Sequence, residues 1–111
     1  MTEDKSIFNG ASQISKYEIE KILNKPETLK ELGQYKISGP YAKPIADHND
    51  VKSILDMIPE NAGGFIELFE AQKIAKTQKA KIEQMRKELK PTADINKELE
   101  KLRFFKDKFG V

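Results

Sequence analysis

Between positions 65 and 89 the chain gives a helix no reason to stop. No proline, glycine or run of β-branched residues interrupts it, and about 25 residues at about 1.5 Å each predict a rod of about 38 Å. At about 100° per residue, Leu68, Ala71, Ile74, Ala75, Ile82, Met85 and Leu89 share one arc, with Gln78 as a polar interruption. That arc is an inward seam. Phe65 and Phe69 lie off it, which predicts a second neighbour for the first two turns, the apolar segment 51–58.

Pro91 ends the rod, and Thr92 or Asp94 is placed to cap a further helix in which Ile95, Leu99 and Leu102 recur, with Phe105 and Phe109 extending the face. Its polar positions Lys97, Glu98, Glu100 and Lys101 are mixed in sign and read as solvated. Two amphipathic helices joined by so short a turn predict an antiparallel αα-hairpin, coiled-coil-like, with seams meeting at a shallow angle.

The N-terminal half reads as short helices at the base of that hairpin. Ser15 and Glu18 make a capping box, with Ile14 and Ile19 at the two positions of a hydrophobic staple. Ile19, Ile22 and Leu23 form a short apolar face that ends near Asn24, because Lys25 precedes Pro26. Pro26 suits a first helical position, Leu29 and Leu32 face inward, and Gly33 closes the segment. Positions 34–46 hold Gly39, Pro40 and Pro44 and read as an extended connection. A strand over 35–37 has no visible partner, so the segment is assigned as loop. Asp47, His48, Asn49 and Asp50 suit a helix start, and Val51, Ile54, Leu55 and Ile58 give the buried face before Pro59. The fold class expected is therefore all-α, in a single helical domain spanning 1–111: short helices and loop over 1–60, and the long hairpin over 61–111.

Length supports that unity, since 111 residues leave little room for a second core. There is no cysteine, which removes disulfides, thiolate metal sites and cysteine nucleophiles. The acidic start MTED does not match a secretory leader, and no apolar run approaches the roughly 20 residues of a membrane span. The expected setting is cytoplasmic or otherwise intracellular, not secreted. A membrane-surface role is discounted, because the seam carries Ala71, Ala75 and Gln78 and the chain has no tryptophan.

Catalytic chemistry finds little purchase. His48 is the only histidine, and no nucleophile elbow accompanies it. Asp47, His48 and Asp50 are chemically acceptable metal ligands, but the same residues are explained as helix caps. Gly63 and Gly64 before a helix lack the Lys-Ser/Thr pair of a phosphate loop, and Glu67 and Glu70 discourage an anion there. No catalytic, cofactor or metal residue is assigned, and a non-enzymatic chain is expected. SGPYAKP, 38–44, offers proline and Tyr41 as a docking segment, and self-packing is the preferred reading.

Two features point outward. Charge is uneven: positions 1–60 carry eight lysines against ten acids, whereas 61–111 carry twelve bases against eight. Lys73, Lys76, Lys79, Arg86, Lys87 and Lys90 share an arc beside the seam, with Glu83 among them and Lys81 pointing elsewhere. Such a row can neutralise phosphates, although it lacks interleaved aromatics and bidentate arginines, and lysine also serves helix propensity and solubility. The second feature is the rod's length beyond a compact body of about 30 Å, together with Phe104, Phe105 and Phe109, which predict contact with other protein chains in a homo-oligomer or larger complex. The expected function is thus a non-catalytic helical interaction or structural subunit, and the alternative is a nucleic-acid-binding accessory protein using the basic row.

Overall fold

The computed structural model describes residues 6–8, 13–35, 45–59 and 64–111. Among these the chain is mostly helical, with elements in the order β1 (Gln13–Ser15), α1 (Lys16–Leu23), α2 (Pro26–Tyr35), α3 (His48–Leu55), β2 (Phe65–Glu67), α4 (Leu68–Lys87) and α5 (Thr92–Phe109). The segment 38–44, read as packing on the chain's own helices, lies outside the described residues.

Local side-chain chemistry sets the short helices where the spacing predicts them. The Ser15 hydroxyl accepts the Glu18 amide at 3.1 Å, and Ile19 behind it is fully buried. Asp47 accepts the Asp50 amide at 3.0 Å while the Asp50 carboxylate accepts the Asp47 amide at 2.9 Å, a reciprocal capping box. Val51, Ile54, Leu55 and Ile58 all face the core. Gly33 does not end α2, however; it is buried inside the helix, which runs on to Tyr35. That end is held from outside, because the Tyr35 hydroxyl donates to Asp107 of α5 at 2.6 Å.

The long rod is shorter than its pattern implies. Residues Phe65–Glu67 leave the helix and form β2, pairing antiparallel with β1 so that Gln13, Ile14 and Ser15 stand opposite Glu67, Ile66 and Phe65. Ile66 is fully buried and Ile14 is partly buried beside the core, so the ribbon covers one isoleucine from each strand where the helical pattern would have continued. α4 is left with 20 residues, about 30 Å. α5 has 18 residues, about 27 Å. The two match in length and pack closely, within a body of 39 × 28 × 28 Å. The end of the pair, residues 86–94, is exposed throughout. Thr92 is the first residue of α5 and does not cap it; Pro91 stands at the cap, with no side-chain hydrogen bond.

At the far end, α5 stops on Gly110, whose φ of 71° suits glycine. A Cβ there would lie 2.9 Å from the Ser6 hydroxyl oxygen, because residues 6–8 close against this end. The Ile7 amide donates to the Lys108 carbonyl at 2.6 Å, and the Ser6 hydroxyl to the Phe109 carbonyl at 3.2 Å. Phe8 meets the edge of Phe109 with centroids 6.0 Å apart.

Phe104, Phe105 and Phe109, expected as partner contacts, are at most 1% exposed. Phe105 and Phe109 stack at 4.1 Å, and Phe104 meets Tyr35 edge to face at 5.7 Å. They are core residues, not a docking face. Phe105→Ala should therefore destabilise the isolated chain by about 3–5 kcal/mol, read from urea unfolding. A loss under about 1 kcal/mol would return this residue to the surface.

Candidate interaction surfaces

With those rings internal, the outward-facing apolar groups lie elsewhere. Tyr17 is 65% exposed, Phe65 54% and Phe69 60%, with Leu68 also exposed. The spacing puts Leu68 on the inward seam, and Phe65 and Phe69 against 51–58; none of the three holds that place. Leu89, the last residue of the expected seam, is also exposed and adopts a φ of 57° in the turn after α4. Between them Ala71, Ile74, Ala75 and Ile82 face inward as the spacing requires.

The exposed rings belong to a repeated unit. Ile14, Tyr17, Glu18, Lys21 and Ile22 recur in the same order and spacing as Ile66, Phe69, Glu70, Lys73 and Ile74. Ile14 pairs with Ile66, its own equivalent, and Gln13–Glu67 and Ser15–Phe65 exchange under the same operation. Each strand then enters its helix through an extended cap residue, Ser15 at φ −73°, ψ 150° and Glu67 at φ −92°, ψ 158°. The ribbon and its outgoing first turns thus obey a local pseudo-two-fold axis. The same cation–π contact decorates both: Lys21 Nζ lies 5.0 Å from the centroid of Tyr17, and Lys73 Nζ 4.5 Å from that of Phe69. The repeat is the sequence signal that would have located these rings.

Lys73, Lys76, Lys79, Arg86, Lys87 and Lys90 are all exposed. None of the six has an ion pair among the described residues. Two nearby cations do pair: Lys81 of α4 reaches across to Glu98 of α5 at 2.8 Å, and Lys101, one turn along α5, meets the other oxygen of Glu98 at 2.9 Å. Phe69 occupies the same outward arc of α4 as Lys73, Lys76 and Lys87, so an aromatic ring does stand at the start of the row.

Glu98 is not solvated as its position suggested. Its side chain is 12% exposed, and buried Gln78 donates to both its backbone carbonyl, at 3.0 Å, and its carboxylate, at 3.2 Å. The polar interruption of the seam is thereby satisfied. Burial alone would raise the Glu98 pKa, but hydrogen bonds from Lys81, Lys101 and Gln78 prevail and hold it down at about 2. Across the molecule, burial followed by the bond to Asp107 pushes the Tyr35 hydroxyl up to about 12. Both groups tie α5 to its neighbours.

His48 Nδ1 lies 2.6 Å from Asn24 Oδ1 at the exposed junction of α1 and α3. Among the described residues no group of three or more His, Cys, Asp or Glu is placed to hold a metal ion, and no helix is long and apolar enough to cross a membrane.

The Glu98 cluster has a signed pH consequence. Its folded pKa lies below the ordinary value of 4.5, so its stabilisation is complete above that pH and fades as the pH falls toward 2. Glu98→Gln should cost about 1.5–3 kcal/mol near neutrality, with the gap to wild type shrinking between pH 4.5 and 2. Urea unfolding across that range measures it, and a gap independent of pH would break the assignment.

No protein-family model matches the chain, and no curated protein and no solved structure matches it.

Proposed function

We propose that this chain is a non-catalytic helical interaction module that joins another protein chain through the outer side of the β1–β2 ribbon and the turns leaving it. The supporting observation is the exposure of Tyr17, Phe65, Leu68 and Phe69 around one short ribbon, while Ile19, Leu23, Ile66, Ile74 and Ile82 from the same elements are buried. Large exposed rings are the usual energetic centres of protein contacts. In this reading α4 and α5 form an antiparallel αα-hairpin whose inner seam is spent on the chain's own core. The ribbon side is the side left to offer.

Tyr17→Ser, Phe65→Ser and Phe69→Ser together should leave unfolding of the isolated chain nearly unchanged, within about 1 kcal/mol. The same variant should abolish association seen by analytical ultracentrifugation of the chain alone or with cell extract. Wild-type association should protect positions 65–69 from hydrogen exchange. A wild-type chain that remains monomeric in both settings, with no protection there, would sink the proposal.

A second reading rests on a different observation, the six exposed cations of α4 and its following turn, which have no ion pair among the described residues. They span about 25 Å from Lys73 to Lys90, and Phe69 adds a ring that a single strand can stack upon. Under this reading the chain is a nucleic-acid-binding accessory protein. Lys76→Glu, Lys79→Glu and Lys87→Glu together should lower single-strand affinity and flatten its salt dependence by about 0.7 for each phosphate no longer neutralised, measured by fluorescence anisotropy. Absence of salt-sensitive binding at micromolar protein would remove it.

A further inference from the structure

Between α4 and α5 lies an open groove of about 400 Å³ with two different linings. Ala75 and Leu102, both buried for most of their surface, form its base together with Val111. Lys76 and Lys79 from α4 and Lys106 from α5 stand around it, and no Asp or Glu side chain is among its described lining residues. Ala75 is a small residue in the base of the groove, so a longer side chain there would take up part of its volume. Its volume falls within the 300–1,000 Å³ or so common for small-molecule sites. An apolar base under three ammonium groups, none of them ion-paired among the described residues, is complementary to one kind of ligand.

We propose that this groove binds a small amphipathic anion, an alkyl or acyl chain headed by a phosphate or carboxylate. The chain lies over Ala75 and Leu102, where it leaves water. The head is shared by Lys76, Lys79 and Lys106, whose flexible stems let three point charges converge on one anionic group. Gln72, also in the lining, supplies a neutral donor beside them. Both helices are needed, because Lys106 comes from α5 and the other two cations from α4. The site is independent of the ribbon face, and it differs from the nucleic-acid reading in requiring Ala75 and Leu102 but not Arg86, Lys87 or Lys90.

The test is titration of the full chain with octyl phosphate below its micellar concentration, followed by amide chemical shifts and calorimetry. Saturable binding is expected, with shifts centred on Ala75, Lys76, Lys79, Leu102 and Lys106, and with octanol and inorganic phosphate each weaker by about tenfold or more. Lys106→Gln, an exposed change that does not threaten folding, should weaken octyl phosphate about three- to tenfold. Ala75→Leu should abolish binding by filling the groove with net charge unchanged. Lys87→Gln with Lys90→Gln should leave it intact. Shifts scattered over all lysines, equal binding of inorganic phosphate, or full affinity in Ala75→Leu would each overturn the proposal. Phosphatidylglycerol vesicles identify the source: sedimentation of wild type but not Ala75→Leu assigns the anion to a lipid, and no sedimentation of either assigns it to a free molecule.

Discussion

Three phenylalanines near the end of α5 hold this molecule closed. Phe105 and Phe109 stack on each other, Phe8 packs against Phe109, and Tyr35 packs against Phe104. One turn and a half of helix therefore gathers the N-terminal residues 6–8, the end of α2 and the inner side of α5 into a single apolar cluster. Aromatic rings are the largest apolar side chains available to a chain without tryptophan. Around that cluster the polar ties are peripheral: Tyr35 to Asp107, Lys108 to Glu31 at 3.3 Å, and the backbone bonds of Ser6 and Ile7. They orient what the rings bring together.

How legible this was depends on how far each determinant reaches along the chain. The starts of α1 and α3 could be read because their caps act between a side chain and an amide three residues away. The faces of α3 and the middle of α4 followed from spacing alone. Phe105 and Phe109 continue the face of α5 by the same spacing, but Phe104 could not be placed that way, because a helical wheel assumes one inward side. α5 packs against α2, α3 and α4, so adjacent rings pointing in different directions both find cover. The ribbon escaped for a related reason. Strands of three residues, QIS and FIE, carry almost no period-two signal, and Phe65–Glu67 continues a helical pattern without a break. Only the repeat shared by the two strand–helix units marks it, since Ile14 and Ile66 are equivalent before they are neighbours.

The polar surface is sorted by the same architecture. Glu98 gathers Lys81 and Lys101 into the space between α4 and α5, where Gln78 completes its hydrogen bonds. The cations on the outer arc of α4 have no acidic partner among the described residues, and one of them leans on Phe69. A chain of nearly balanced total charge, +2, thereby presents a strongly biased face. Total charge is a poor guide here, because interior pairing decides which ions remain outside.

The two halves of the pseudo-two-fold are not equally secured. At the head of α1 a hydroxyl holds the Glu18 amide, whereas Glu67 at the head of α4 makes no such bond. Free amides at a helix start are the first to exchange helical geometry for water. The symmetric frame thus has a stiff corner and a soft one, and the soft corner carries Phe65, Leu68 and Phe69. Matched side chains on unmatched supports give the molecule one rigid foothold and one that adjusts its grip.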